Sequence, residues 1–260
     1  MFLSTPPDNL ARKRWPHAGA VVSSSFYLVA LRRWLLRMAQ VLVLGIVFLL
    51  LLPYVLAPLY RVVDPVSTLM LWRWAKRARV ERILVPIDHV APILSRSVLA
   101  AEDERFCSHH GIDFDELRRV VKAETDGVHR PRGGSSVTQQ LAKNLFLWPG
   151  RSYVRKALEL PLALWIDLAI PKRRQLEIYL NTTEWGPDGE FGAESGARRA
   201  FGKPAAALSA PEAALLAATL PNPIRRNARQ PGPGLRRLAA TYTARAAAGV
   251  DIDRCVRPAS

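Results

Sequence analysis

AAEDERFCSHHG, residues 100–111, holds the densest run of chemically active side chains in this 260-residue chain. Leu94, Val98 and Ala101 recur at helical spacing up to its start, which predicts a helix running into Glu102. Glu102 falls four residues after Val98 and three after Leu99, so it shares the apolar face of that helix. Asp103 is turned about 100° away. A carboxylate at the edge of a core tends toward a raised pKa, which suits a general base. The plainer reading is a solvated helix end. Cys107, His109 and His110 invite a metal reading. Adjacent histidines do not readily face one ion, and no second ligand cluster lies nearby, so no metal is assigned. His109 reads as a hydrogen-bonding residue that holds the turn before Gly111.

Outward from this stretch, apolar residues recur at spacings of three and four: Leu141 and Leu145; Leu158, Leu162 and Trp165; Leu176, Tyr179 and Leu180. Few segments alternate as strands do, so the class is mainly α. In GGSSVTQQLAKNLF, residues 133–146, Ser136 and Gln139 form a capping-box pattern that opens a helix. A helix N-terminus with free N–H groups is a ready anion site, and Arg130 and Arg132 add positive charge upstream. Gln140 and Lys143 share a face of that helix. In RKALE, residues 155–159, Arg155 and Lys156 stand four and three residues before Glu159. They are either surface ion pairs or a carboxylate flanked by cations, which would suit a phosphate leaving group. SAPE, residues 209–212, caps a further helix that PNP, residues 221–223, ends. Beyond residue 228 a helix and then a loose end are expected.

The formal net charge is +15. Residues 1–80 hold 11 Lys/Arg against 2 Asp/Glu, and residues 81–260 hold 26 against 20. The excess surrounds an apolar segment rather than covering the larger domain, which argues against a nucleic-acid partner. That segment, AQVLVLGIVFLLLLPYVLAPLY, residues 39–60, has no charge between Arg37 and Arg61 and is long enough for a transmembrane helix. Its length and its PLYRVV end favour a retained anchor over a signal peptide. The nearest basic cluster, Arg32, Arg33 and Arg37, with Arg12, Lys13 and Arg14 behind it, is amino-terminal. The N-terminus is therefore expected in the cytoplasm and the domain outside. The expected divisions are a cytoplasmic tail 1–37, a transmembrane helix 38–60, a connector 61–85, a domain 86–230 and a C-terminal tail 231–260. Outside the cytoplasm Cys107 and Cys255 could pair, but Cys255 sits in a weakly patterned tail, so two unpaired thiols are expected.

EDERFCSHHG, GGSSVTQQLAKNLF, RKALE, LEIYLNTTEWG with FGAESGARRAFGK, and LSAPEAALLAATLPNP form five ordered blocks. Together they resemble the peptidoglycan glycosyltransferases that polymerise lipid II, over roughly residues 85–228. No S-x-x-K or K-T-G occurs in the chain, so the likeness is to the monofunctional biosynthetic transglycosylases of Gram-negative bacteria, without a transpeptidase. The resemblance implies a lysozyme-like glycosyltransferase domain with a membrane-associated lobe, preceded by one transmembrane helix in the bacterial inner membrane. It implies Glu102 as general base and Glu159 as the second catalytic acid. Lys143, Arg155 and Lys156 would face the diphosphate, and Asp103, Phe106, His109, Ser136 and Gln140 would shape or line the cleft. The implied partners are lipid II, the growing lipid-linked glycan and the membrane, with other cell-wall synthesis or division proteins open. Family members are often helped by a divalent cation, Mg or Mn, but the sequence shows no dedicated ligand set. Phe146, Leu147 and Trp148 form an apolar tip, for the bilayer surface or for interior packing. Ser136 stands where threonine is frequent, Cys107 where tyrosine is, and Ala200 replaces an aromatic. The alternatives are a lytic or lysozyme-type glycosidase and a non-catalytic scaffold.

Overall fold

The structure, a computed structural model, describes residues 24–127, 134–150, 152–249 and 251–257. The distal basic cluster (Arg12, Lys13 and Arg14), and Arg130 and Arg132, lie outside the described residues. The chain divides after Leu50 into two compact units.

Helix α1, Ser24–Leu59, continues through Pro53 and Pro58. It begins fourteen residues before the expected span, because ALRRWLLRMAQ consists largely of good helix formers. Residues 27–59 are long and apolar enough to cross a membrane. At about 1.5 Å per residue they exceed the roughly 30 Å hydrocarbon core, so Arg32, Arg33 and Arg37 have room at one end.

From Leu51 onward the architecture is helical: α2 Thr68–Ala75, α3 Pro92–Glu102, α4 Phe114–Thr125, α5 Val137–Phe146, α6 Tyr153–Ala169, α7 Lys172–Thr182, α8 Ala193–Phe201, α9 Ala210–Thr219 and α10 Pro233–Ala248. The two-residue strands Glu81–Arg82 and Glu190–Phe191 pair in parallel. The predicted apolar faces meet in one core: Leu94 and Val98 of α3, Leu141 of α5, and Leu176 and Tyr179 of α7 are fully buried. This is the mainly α class expected.

Within the expected connector 61–85, Ser67 caps α2, and the Thr68 hydroxyl donates to Asn144 O at 3.0 Å. Two expectations need correction. The expected helix beyond residue 228 forms as α10, but the end after it is not loose. Helix α10 packs on α9 and α3, and Arg96 of α3 donates to the carbonyls of Ala246 and Gly249, where the helix has no internal donors left. Ile252 and Val256 then enter the core. Finally, Cys107 and Cys255 are not free thiols but a disulfide, with their Cα atoms 5.5 Å apart. The folded-back tail delivers Cys255 to the loop after α3.

Candidate active site

Glu102 is the last residue of α3, and Asp103 is the residue that ends the helix. The Asp103 carboxylate is buried. It accepts from the Val137 N–H at 2.9 Å and from His109 Nε2 at 2.9 Å, so it ties the end of α3 to the start of α5. The predicted capping box is formed: Gln139 N donates to Ser136 Oγ at 3.1 Å, and Ser136 N donates to Gln139 Oε1 at 2.9 Å. The start of α5 is therefore not an open anion site. Its N–H groups at Val137 and Gln139 are taken by the protein's own acceptors, and the anion seated there is Asp103. Ser136 Oγ also donates to Gly111 O. Gly111 has φ +74°, and a Cβ there would stand 2.5 Å from Ala163 O, so the loop and α6 touch backbone to side chain position.

Helix α5 next presents Gln140 and Lys143. Gln140 Nε2 donates to Glu102 Oε2 at 2.7 Å, and Tyr179 Oη donates to Gln140 Oε1 at 3.1 Å. Glu102 is thereby aimed by a fully buried tyrosine through an amide. Burial raises the Glu102 pKa above its ordinary 4.5, and the Gln140 hydrogen bond and the charges of Lys143 and Arg226 oppose the rise. Burial also lowers the Lys143 pKa, against the pull of Glu159 and Glu102. Among the described residues Lys143 makes no hydrogen bond or ion pair.

Helix α6 contributes RKALE. Glu159 is buried and accepts from Arg155 through one oxygen and from Lys156 through the other, at 2.9 Å. Lys156 Nζ also donates to Ser135 Oγ at 2.7 Å. Of the two readings of this motif, the structure has the carboxylate flanked by cations, with Arg155 buried rather than on the surface.

A cleft of about 410 Å³ is lined by Glu102, Asp103, Ser135 and Ser136 and, from α10, by Leu238, Thr241 and Arg245, while Gln140, Lys143 and Glu159 are not part of its lining. Lys156 reaches this cleft through Ser135, while Arg155 and Glu159 lie behind it. Phe106 is fully buried beneath the site, its ring edge toward His109 and Lys172 over its face at 4.4 Å. The other acidic side chains of the cleft are in ion pairs: Glu104 with Arg245 at 3.3 Å, Asp113 with Arg105, and Glu116 with Arg119. Cys107, His109 and His110 point to a disulfide, to Asp103 and toward Asp167 respectively. Among the described residues no three His, Cys, Asp or Glu side chains converge as a metal would require.

Several neighbours of Glu102 carry no signal in sequence. Tyr179 reads as one more core position of α7. Arg226 follows the last recognised block and donates to Ala218 O at 2.6 Å. The α10 side chains have no legible pattern at all. Phe146 and Leu147 pack inward, Phe146 stacking on Tyr60 at 5.8 Å, while Trp148 is exposed.

Known proteins resemble this chain over most of its length. The family model described as Transglycosylase matches residues 70–246. A biosynthetic peptidoglycan transglycosylase of Rhodopseudomonas palustris (strain TIE-1) is 61% identical over 221 residues, 85% of this chain and 93% of the relative. One from Nitrobacter hamburgensis is 61% identical over 212 residues, 82% of this chain and 93% of its own length. One from Rhizobium johnstonii is 47% identical over 231 residues, 87% and 94% of the two chains. With an apolar helix long enough to cross a membrane ahead of the helical domain in the chain, and with the family match covering most of that domain, this chain belongs to the transglycosylase family and is a peptidoglycan glycosyltransferase.

Proposed function

We propose that the chain polymerises lipid II into glycan strands, with inversion at the anomeric carbon and Glu102 as general base, and that it has no transpeptidase activity. Glu102 takes the proton from the 4-hydroxyl of the acceptor sugar. The oxygen attacks the anomeric carbon of the growing lipid-linked chain, the bond to the diphosphate breaks, and undecaprenyl diphosphate leaves. Lys143 meets the negative charge of the departing diphosphate, with Lys156 and Arg155 behind it, as cationic clamps do in other group transfers. Glu159 holds those two cations in place. Asp103, His109, Ser136 and Gln140 set the cleft and aim the base, and Phe106 supports them from the core. The domain is anchored in the inner membrane and works outside the cytoplasm.

The observation that carries this reading is one half-buried carboxylate, Glu102, and one half-buried ammonium, Lys143, neither of them in an ion pair among the described residues. A carboxylate whose pKa is raised by burial accepts a proton better than an ordinary glutamate. A half-buried ammonium with no partner among the described residues is available to an incoming phosphate. A glycosidase needs a second carboxyl that donates a proton or attacks the sugar. In this cleft Asp103, Glu104, Asp113 and Glu116 are all engaged by cations or by His109.

The deciding experiment gives the purified full chain labelled lipid II, with preformed glycan strands in a parallel reaction. Long strands from lipid II are expected from wild type, and none from Glu102→Gln. Shortening of the preformed strands would instead establish the glycosidase. Near-normal polymerisation by Glu102→Gln would reject Glu102 as the base.

A further inference from the structure

We infer that the Cys107–Cys255 disulfide is a positioning element of the active site: it clamps the C-terminal segment, and with it α10, across the cleft, so that full saccharide binding requires the oxidised enzyme. Residue 107 lies five positions past Glu102, in the loop that carries Phe106 and His109. Residue 255 lies 148 positions later. The bond therefore joins the loop beneath the candidate base to the strand of chain that follows α10. Helix α10 supplies Leu238, Thr241 and Arg245 to the cleft wall opposite Glu102 and Ser136.

Contacts from two arginines make the disulfide the closing link of a ring. Arg96 of α3 holds the end of α10 through Ala246 O and Gly249 O, and lies 3.8 Å from Asp253. Arg173 of α7 donates to Val256 O. The wall is thus tethered at the end nearest Cys255. At the other end, Gly232 and Gly234 are exposed and no hydrogen-bonded side chain caps α10. Without the disulfide, α10 keeps its packing on α9 and α3, the Glu104–Arg245 ion pair and the Arg96 and Arg173 contacts, and loses the covalent link that fixes its C-terminal end to the Cys107 loop.

The bond is also within reach of solvent. Cys107 lines a surface cavity of about 570 Å³ together with Arg245, Gly249 and Ile252. A dithiol entering there reduces the bond by exchange: its thiolate attacks one sulfur, the Cys107–Cys255 bond breaks, two protein thiols result and the dithiol becomes a cyclic disulfide. Residues after about 60 are placed outside the cytoplasm under the proposed function, where such a bond persists.

The inference rests on the proposed polymerase reading, and the test separates the two. Full-length enzyme in detergent is assayed on lipid II oxidised, reduced with dithiothreitol, and reoxidised, beside Cys107→Ser/Cys255→Ser. The expected result is a KM raised about ten-fold on reduction with kcat within about two-fold, since a displaced wall removes binding rather than the base. Reoxidation restores the KM, and the double variant shows the high KM and no response to dithiothreitol. An unchanged KM in reduced wild type overturns the inference. So does a joint loss of kcat and of the folded circular-dichroism signal, which would mark a merely structural bond. If the oxidised enzyme builds no glycan, the polymerase reading fails, and hydrogen exchange decides the clamp. Faster exchange over residues 233–249 on reduction supports it, and unchanged exchange refutes it.

Discussion

Glu102 carries opposing demands at the scale of a single residue. Burial favours its neutral form, while the Gln140 amide, Lys143 and Arg226 favour the carboxylate, and burial is the larger influence. The folded pKa therefore lies above the ordinary 4.5. The stability that the neutral carboxyl allows is fully present below that ordinary value and is lost as pH rises through the folded one. Two outcomes follow together. Activity falls as pH drops through the folded Glu102 value, read from kcat/KM against pH. Glu102→Gln, although inactive, melts no lower than wild type at pH 7 in calorimetry, because an amide carries no charge to desolvate. Arg155 behaves in the opposite sense. Its guanidinium is buried against Glu159. Arg155→Ala leaves Glu159 with Lys156 alone and is expected to cost about 1–3 kcal/mol in urea unfolding, with a loss of turnover as well. Unchanged stability would place this pair at the surface.

At the scale of elements, the site depends on how helix ends are finished. The first N–H groups of α5 would be costly if buried without acceptors. Asp103, from another helix, and Ser136, from within, supply those acceptors. One carboxylate thus caps α5 and holds the turn that aims Glu102. Ser136→Ala removes the cap and the bond to Gly111 O, and is expected to cost about 1 kcal/mol. Gly111→Ala is expected to cost more than that, because φ is positive and the added methyl meets Ala163 O. Thermal melts of the two variants give the order; a milder Gly111→Ala would mean that α6 yields to the loop.

For the whole molecule, an apolar helix long enough to cross a membrane precedes, in sequence, a helical domain whose cleft carries charged side chains. The basic cluster nearest the apolar span, Arg32, Arg33 and Arg37, is amino-terminal to it, against the single Arg61 at its other end. A cytoplasm-active reporter fused to the C-terminus should therefore be silent, and a periplasm-active one should work; the reverse would invert the topology. What the sequence determined by itself was local. Period-3.6 apolar positions, the Ser136 and Ser209 capping boxes and the Arg155–Lys156–Glu159 spacing all depend on neighbours within about two helical turns, so they are legible along the chain. The five blocks add the family, because their order survives as text. Only the tertiary structure decided that Asp103 fills the start of α5, that Tyr179 aims Glu102 through Gln140, that α10 walls the cleft and that Cys107 meets Cys255. Each of these joins residues 34 or more positions apart in sequence. Such pairs leave no periodicity behind: their partners are chosen by helix packing and by the need of buried polar groups for one another.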